Sequence, residues 1–182
     1  MNGHRCLAAP IDDGTGAVIA GRAGALPASA ADPGSGASAV IQDWPLASYL
    51  PPLAAHATAL ACARGHVRAV ACEWGLEDLA DTAELLTSEL VTNAVRASER
   101  LTIGAGLAAV PVVRLWLVSD QISLVIHVWD GNSQMPERRD AAPDAEGGRG
   151  LLLVDALGTD WGAYRKGSGK VVWVMIGGKR DP

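Results

Sequence analysis

The chain has 182 residues, a length that suits one domain with a tail better than two domains. Its net charge is −5 and its pI is near 5.3, which argues against direct, non-specific binding of nucleic acid, since that depends on basic surface. No uninterrupted apolar run reaches about 18 residues, so no membrane contact through a spanning helix is expected. The three cysteines form no Cys-x-x-Cys pair, which favours reduced thiols and a cytoplasmic location over disulfides or a zinc site.

Residues 1–38 consist mainly of Ala, Gly, Pro and Ser and show neither a helical nor a strand period. This composition predicts a disordered tail, followed by a single domain over residues 39–178. The segment Ala28-Ser29-Ala30 resembles a signal-peptide cleavage site. Two aspartates and an arginine interrupt the apolar segment that a signal peptide needs, so we favour the tail.

An edge strand and two helices open the predicted domain. The strand is predicted around residues 40–46, and Pro51 and Pro52 predict the start of the first helix, because proline is tolerated in a first turn. Gly75 predicts the end of that helix. The second helix is predicted over residues 79–98, where apolar residues recur at spacings of three and four.

Two hairpins and a short helix complete the predicted domain. The expected segments are strands at 112–118 and 122–130, a loop at 131–146, a Gly-rich turn at 147–150, a helix at 151–157, and strands at 160–165 and 171–176. Helices and hairpins are therefore separated along the chain. This order predicts an α+β two-layer sandwich, with a mixed or antiparallel sheet and helices on one face.

Glu89 and Asn93 lie four residues apart on the second predicted helix and therefore share one of its faces. An Asn carbonyl oxygen is a suitable magnesium ligand, and a Glu one turn away can take a proton from a hydroxyl group or water. The alternative is a solvated helix face on which Glu89 pairs loosely with Arg96. On this pair alone, the solvated helix face is the favoured interpretation.

Asp130 ends the second strand of the first hairpin. The apolar residues Ile122, Leu124, Ile126 and Val128 share its parity, whereas His127 falls on the other, predicted polar face. A carboxylate on an apolar face needs a partner, and the adenine amino group would be a suitable donor. Gly131 would let another group approach the backbone closely. Alternatively, Asp130 simply begins a turn.

The Gly-rich turn Gly147-Gly148-Arg149-Gly150 precedes an apolar helix that begins at Leu151. Glycines permit close approach to the backbone, and a helix N-terminus attracts phosphate groups. Arg149 would add positive charge. The turn is neither a P-loop nor a dinucleotide fingerprint, and a flexible loop before a helix is the alternative.

These three features occur in an order that resembles the N, G1 and G2 boxes of the GHKL ATPase and kinase superfamily. Within it, the chain is similar to the bacterial anti-sigma regulatory factors with serine kinase-type domains, over about residues 44–176. Residues 88–95 and 146–151 carry most of the resemblance. Trp161-Gly162, and Gly169-Lys170 with Trp173, resemble the C-terminal hairpin of that family.

The resemblance implies a site for ATP and Mg²⁺. In it, Glu89 would be the general base, Asn93 would ligate magnesium, and Asp130 would accept a hydrogen bond from the adenine amino group. Gly148 and Gly150 would lie beside the phosphates, beneath a lid of residues 132–146. The implied cofactor-binding residues are Asn93, Asp130, Gly131, Gly147, Gly148, Arg149, Gly150 and Leu151.

The chain departs from the family pattern at two positions near the adenine side. The G1 box usually reads Asp-x-Gly, but its third position here is Asn132. Many relatives have a Thr near the start of the last strand, about where Val171 stands. The resemblance therefore supports the phosphate and magnesium side more fully than the adenine side.

The function that the resemblance implies is an ATP-dependent protein serine kinase in transcription regulation. Its expected partner is an anti-anti-sigma factor or a sigma factor, and relatives suggest a homodimer through the first strand and helix. Two alternatives remain open. One is a module that binds nucleotide without turnover, and the other is a slow ATPase in which Glu89 activates water.

Overall fold

The computed structural model describes residues 19–20, 44–102, 110–136 and 149–177. These residues form six strands and three helices. In chain order the elements are β1 (Ile19–Ala20), β2 (Leu46–Ala54), α1 (Ala57–Glu73), α2 (Glu77–Thr102), β3 (Val112–Ser119), β4 (Ser123–Asp130), α3 (Arg149–Leu157), β5 (Asp160–Lys166) and β6 (Gly169–Gly177).

The strands form one sheet in the order β1-β5-β6-β4-β3-β2, and all neighbouring strands are antiparallel. The two predicted hairpins are both present and lie side by side, because β4 pairs with β6 from Ser123–Gly177 to Asp130–Lys170. Buried residues of all three helices join one core with one face of the sheet. The predicted α+β sandwich with helices on one face is therefore confirmed.

Alternation along the central strands sends side chains to both faces of the sheet. On the helix-covered face, Leu124, Ile126 and Val128 of β4 are at most 1% exposed. They meet the apolar stripe of α2, whose core positions recur at helical spacing and include Ala83, Leu86, Leu90, Val91 and Ala94. The predicted amphipathic character of this helix is thus confirmed, and α2 becomes the element on which the site is built.

The predicted start of the first helix at Pro51 and Pro52 is wrong. Both prolines lie within β2, and α1 begins at Ala57. β2 is the edge strand of the sheet, and its pairing with β3 shifts register between Leu50 and Leu53. An edge strand with such an irregularity tolerates residues without a backbone N–H, which is why these prolines do not have to begin a helix.

Two other boundaries differ from the sequence prediction. α2 begins two residues earlier than expected and continues to Thr102, four residues beyond the predicted end. α3 begins at Arg149, two residues before the predicted start. Gly147 and Gly148 lie outside the described residues, as do residues 137–146 of the predicted lid and residues 40–43 of the predicted first strand.

His127 does not lie on a polar surface, and this prediction is wrong. It is fully buried and stacks on Trp116, with the ring centroids 4.9 Å apart. The face of the sheet that no described helix covers, called the helix-free face below, carries a second cluster, made of Trp44, Trp116, Val125, Tyr164, Val171 and Trp173. Strand alternation therefore separates two apolar faces here, not an apolar face from a wet one.

The division of the chain into a tail over residues 1–38 and a domain over 39–178 stays a prediction. Within the predicted tail, the structure describes Ile19 and Ala20, whose backbones pair with Ala163 and Gly162 of β5. In the described part of the chain, no helix is long and apolar enough to span a membrane.

Candidate functional site

Glu89 and Asn93 lie on one side of α2, directly against the first turn of α3. Both residues are half-buried. A Cβ atom on Gly150 would lie 2.6 Å from Glu89 Oε2 and 3.2 Å from Asn93 Nδ2. Only a glycine leaves both polar groups where they are, so the structure brings together the first and third features that the sequence singled out.

The structure gives neither Glu89 nor Asn93 a side-chain hydrogen bond or ion pair with another described residue. The predicted alternative, in which Glu89 pairs loosely with Arg96, therefore has no support in the structure. A carboxylate and an amide that face a helix N-terminus, and that no described side chain engages, remain able to act on a ligand. The first backbone N–H groups of α3, which begins at Arg149, are also without intrahelical acceptors. Leu151 follows within this turn, half-buried and packed against the core.

Asp130 lies at the end of β4 and is 2% exposed. Its Oδ1 atom accepts a hydrogen bond from Lys170 Nζ at 2.9 Å and another from the Asn132 backbone N–H at 2.9 Å. Burial raises the pKa of the Asp130 carboxyl above its ordinary value, while the ion pair with Lys170 and the Asn132 N–H act in the opposite direction. Lys170 of β6 is thus a partner of the kind that a buried carboxylate requires.

Asn132 connects the end of β4 to α2. Its Nδ2 group donates to the Ala97 carbonyl oxygen at 3.1 Å, and its Oδ1 accepts from the Gln134 N–H at 2.9 Å. Ala97 is one helical turn beyond Asn93, a rise of about 6 Å along the helix. Glu89, Asn93 and the Asp130 loop therefore lie along the same helix, in the order that an elongated ligand could follow.

Two glycines near Asp130 have different requirements. A Cβ atom on Gly131 would lie 3.7 Å from Leu101 Cδ1, an ordinary contact, so nothing in the described chain requires glycine there. A Cβ atom on Gly169 would lie 2.0 Å from the Asp130 carbonyl oxygen, a distance that no side chain permits. Gly169 thus lets the β5–β6 hairpin pass close to Asp130.

The residues present fit a magnesium ion only together with phosphates. Among the described residues, no group of three His, Cys, Asp or Glu side chains could hold a metal ion. Mg²⁺ is usually held by one or two protein oxygens, several waters and the phosphates of a nucleotide. Asn93, beside the N-terminus of α3, would supply one such protein oxygen, so the donor set suits an ion that arrives with a nucleotide better than a resident one.

A family model described as a histidine kinase-like ATPase domain matches residues 53–176. The chain belongs to this family. The match covers more than two thirds of the chain and runs from the end of β2 to the last residues of β6. Membership of the histidine kinase-like ATPase family indicates an ATP-binding module of the GHKL type. Among curated proteins, none gives a significant match to the chain.

In this ATPase-family domain, Lys170 was not predicted from the sequence as the partner of Asp130. The sequence did signal that a partner is needed, because Asp130 falls on the same strand face as the buried apolar residues. It did not show which strand would supply that cation or hydrogen-bond donor. Val171, which stands about where many relatives have a Thr, points to the face of β6 opposite Lys170. Val171 lies in the aromatic cluster on the helix-free face, whereas Lys170 is the β6 residue that contacts Asp130.

Proposed function

We propose that this domain is an ATP-dependent protein serine kinase of anti-sigma type that acts in transcription regulation. The observation that carries the proposal is the approach of Gly150 to both Glu89 and Asn93. It joins a carboxylate, a neutral oxygen ligand and a helix N-terminus at one place, which are the groups that phosphoryl transfer needs.

In this proposal, the phosphates of ATP lie at the first turn of α3, where unsatisfied backbone N–H groups attract negative charge. The carbonyl oxygen of Asn93 would hold a Mg²⁺ ion that binds with the nucleotide. The ion would neutralise charge on the transferring phosphoryl group. Arg149, Gly147 and Gly148 are proposed to border the same phosphates.

Glu89 is proposed as the general base. Its carboxylate would take the proton from a serine hydroxyl of the partner as the serine oxygen forms a bond with the γ-phosphorus. The bond between that phosphorus and the oxygen bridging to the β-phosphate breaks, and ADP leaves. The absence of a partner for Glu89 among the described residues supports this role, because an ion-paired carboxylate would be a poorer base.

The adenine base is proposed to lie near Asp130, with its amino group donating to the carboxylate. Gly131 and Asn132 would border it, and α2 would join this end of the site to the phosphate end. The substrate is proposed to be a serine of an anti-anti-sigma factor, or the domain binds a sigma factor directly. β2 and α1 are the elements proposed for a homodimer.

A phosphotransfer assay with labelled ATP, Mg²⁺ and a candidate partner protein tests this function. Glu89→Gln is expected to bind ATP as the wild type does but to lose transfer by about 10²–10⁴-fold. Glu77→Gln, an exposed position in the first turn of the same helix, is the control and is expected to transfer normally. Equal transfer by Glu89→Gln and the wild type would remove Glu89 from the mechanism.

The same assay separates the other activities open to this fold. Release of inorganic phosphate without a labelled partner would indicate a slow ATPase in which Glu89 acts on water. Binding of ATP with neither transfer nor release would indicate a nucleotide-dependent binding module. Calorimetry with Asn93→Ala and Asp130→Ala then tests the two ends of the site separately. Failure of the wild type to bind any adenine nucleotide would contradict the proposal as a whole.

A further inference from the structure

Lys170 and Asp130 form a buried ion pair at the end of the site that is proposed for the adenine base, called the base end below. Lys170 Nζ lies 2.9 Å from Asp130 Oδ1, and the two side chains are 7% and 3% exposed. Lys170 Nζ also donates to the Asn132 carbonyl oxygen at 3.0 Å. Because both side chains are largely buried, this pair is screened by solvent much less than a surface pair is.

Both hydrogen bonds that Asp130 accepts end on the same oxygen atom, Oδ1. Oδ2 accepts none from the described residues. Lys170 and the Asn132 N–H therefore fix the orientation of the carboxylate and leave one oxygen for a ligand. A carboxylate oxygen is an acceptor only, so it favours a ligand that presents an N–H group at this point.

We infer that Lys170 is a positioning residue for base recognition, which orients Asp130 and keeps it ionised so that the site prefers a purine with an amino group at position 6 over one with an oxygen there. This inference rests on the proposed binding of ATP at Asp130. The 6-amino group of adenine donates to a carboxylate, whereas the 6-oxo group of hypoxanthine, an acceptor, is repelled by it.

Lys170 is the charged residue, among those described, that contacts Asp130. On β3, the uncharged Val113 lies opposite Asp130. On α2, the Ala97 carbonyl contacts Asn132 and the Leu101 side chain lies near Gly131, so neither adds a charge. The guanidinium of Arg114 on β3 lies over the Trp129 ring instead. The charge state of Asp130 therefore depends on burial, which favours the neutral acid, and on Lys170, which favours the carboxylate.

The ratio of the Kd values for MgITP and MgATP, measured by calorimetry between about pH 5 and 8, isolates this effect. The two nucleotides carry the same triphosphate, so titration of the phosphates cancels in the ratio. In the wild type we expect a preference for ATP of roughly ten- to a hundredfold. The preference is expected to fall at low pH, where Asp130 takes a proton and can donate to a 6-oxo group.

Lys170→Met is expected to move the midpoint of this fall to higher pH, because burial is no longer opposed by a nearby positive charge. Lys170→Gln, which keeps a donor but no charge, is expected to shift the midpoint in the same direction and provides a second variant if Lys170→Met does not fold. Lys170→Arg retains the charge and should keep the midpoint close to that of the wild type.

Lys166→Met is the matched control. Lys166 belongs to the same hairpin, but its ammonium group lies over the Trp116 ring on the helix-free face. This variant is expected to keep the wild-type ratio at every pH. Asp130→Asn/Lys170→Met, which has no carboxyl at this place, is expected to give a ratio near one with no pH dependence.

Upward shifts in Lys170→Met and Lys170→Gln, with none in Lys166→Met, would support the inference. A midpoint that coincides with the wild type in both Lys170 variants would overturn it and leave the proposed kinase function intact. Equal binding of MgATP and MgITP by the wild type at every pH would also overturn it alone. A wild type that binds neither nucleotide would overturn both the inference and the proposed function.

Discussion

At the phosphate end of the proposed site, Glu89 and Asn93 make no side-chain hydrogen bond or ion pair with another described residue. At the base end, Asp130 is already held by Lys170 and Asn132. The phosphate end is half-buried, whereas the Asp130 carboxylate is almost fully buried. The phosphate end therefore leaves its polar side chains available to a ligand. At the base end, contacts within the protein occupy Asp130 Oδ1 and leave Oδ2 as the acceptor.

This difference fits what each end is proposed to bind. Phosphates and a metal ion bring their own charges, so unpaired groups and helix N–H groups beside solvent suffice. An uncharged base offers only weak donors, and a buried carboxylate without a partner would take up a proton instead of serving as an acceptor. Substitutions at the two ends should consequently have different effects. At the base end we expect a loss of folding stability, and at the phosphate end a loss of phosphotransfer with the fold intact.

Gly169→Ala is expected to give the largest effect, because its Cβ atom would overlap the Asp130 carbonyl oxygen. We expect a decrease of about 3 kcal/mol in the free energy of unfolding, measured by urea denaturation. Ser168→Ala, the exposed neighbouring position in the same turn, is the control and should change stability little. A Gly169→Ala protein as stable as the wild type would show that the backbone around Asp130 can move enough to accommodate the Cβ atom.

Gly150→Ala should lower phosphotransfer by roughly ten- to a hundredfold while the domain stays folded, because the ends of two flexible side chains, Glu89 and Asn93, would have to move. Transfer rates and thermal unfolding are measured on the same samples. Gly65→Ala is the matched control, since a Cβ atom on Gly65 in α1 would meet nothing within 4 Å. It should stabilise α1 by up to about 1 kcal/mol without a change in transfer. A Gly150→Ala protein that unfolds would contradict the proposed distinction between the two ends.

Asn132→Ala removes the hydrogen bonds to the Ala97 carbonyl and from the Gln134 N–H. A loss of about 1 kcal/mol in stability is expected, together with a several-fold increase in the Kd for ATP, because the Asp130 loop would no longer be joined to α2. Gln134→Ala, an exposed residue of the same loop, serves for comparison. ATP affinity that is unchanged in Asn132→Ala would place the base away from this loop.

The smallest effect concerns pH and comes from the base end. The pKa of Asp130 is raised in the folded protein, mainly by burial. In the pH range just above the ordinary value of Asp, the folded state therefore binds more protons than the unfolded state, and stability falls as the pH rises through that range. Relative to Asp130→Asn/Lys170→Met, the wild type should lose stability between acidic and neutral pH in urea unfolding. Parallel profiles for the two proteins would contradict the raised pKa.

Asp160 titrates in the same direction, since burial raises the pKa of its carboxyl as well. It is present in both proteins of this comparison, so its contribution cancels from the difference between the two profiles. Asp160→Asn in the wild-type background provides the complementary measurement. It should remove the Asp160 part of the pH dependence and leave the part that Asp130 contributes.

The fold, and the position of Glu89 and Asn93 on one helix, could be predicted well because their signals are local. The apolar spacing of α2, the alternation of β4 and the short turns of the two hairpins each act over a few residues, and all are present in the structure. Glu89 and Asn93 share a face by helical geometry alone. Their approach to Gly150, about 60 residues further on, was implied by a resemblance and is given physical form by the packing of α3 against α2.

The sequence failed where a neighbour from a distant segment decides the outcome. Proline in a first turn is a sound local signal, but the edge position of β2 allows Pro51 and Pro52 to remain in a strand. His127 alternates away from the helices as expected. Its burial depends on the cluster around Trp116 and Trp173. The residues of this cluster come from separate strands, so no local sequence pattern predicts it.

By itself, the sequence determined the order of the elements, the apolar faces and the residue types available for a nucleotide site, because these follow from periodicity and side-chain chemistry. Only the tertiary structure decided which groups meet. The contacts of Asp130 with Lys170 and of Asn132 with Ala97 join residues that are 40 and 35 positions apart. Such pairs are set by sheet register and helix packing, so the closed base end of the site emerges only when β4, β6 and α2 are brought together.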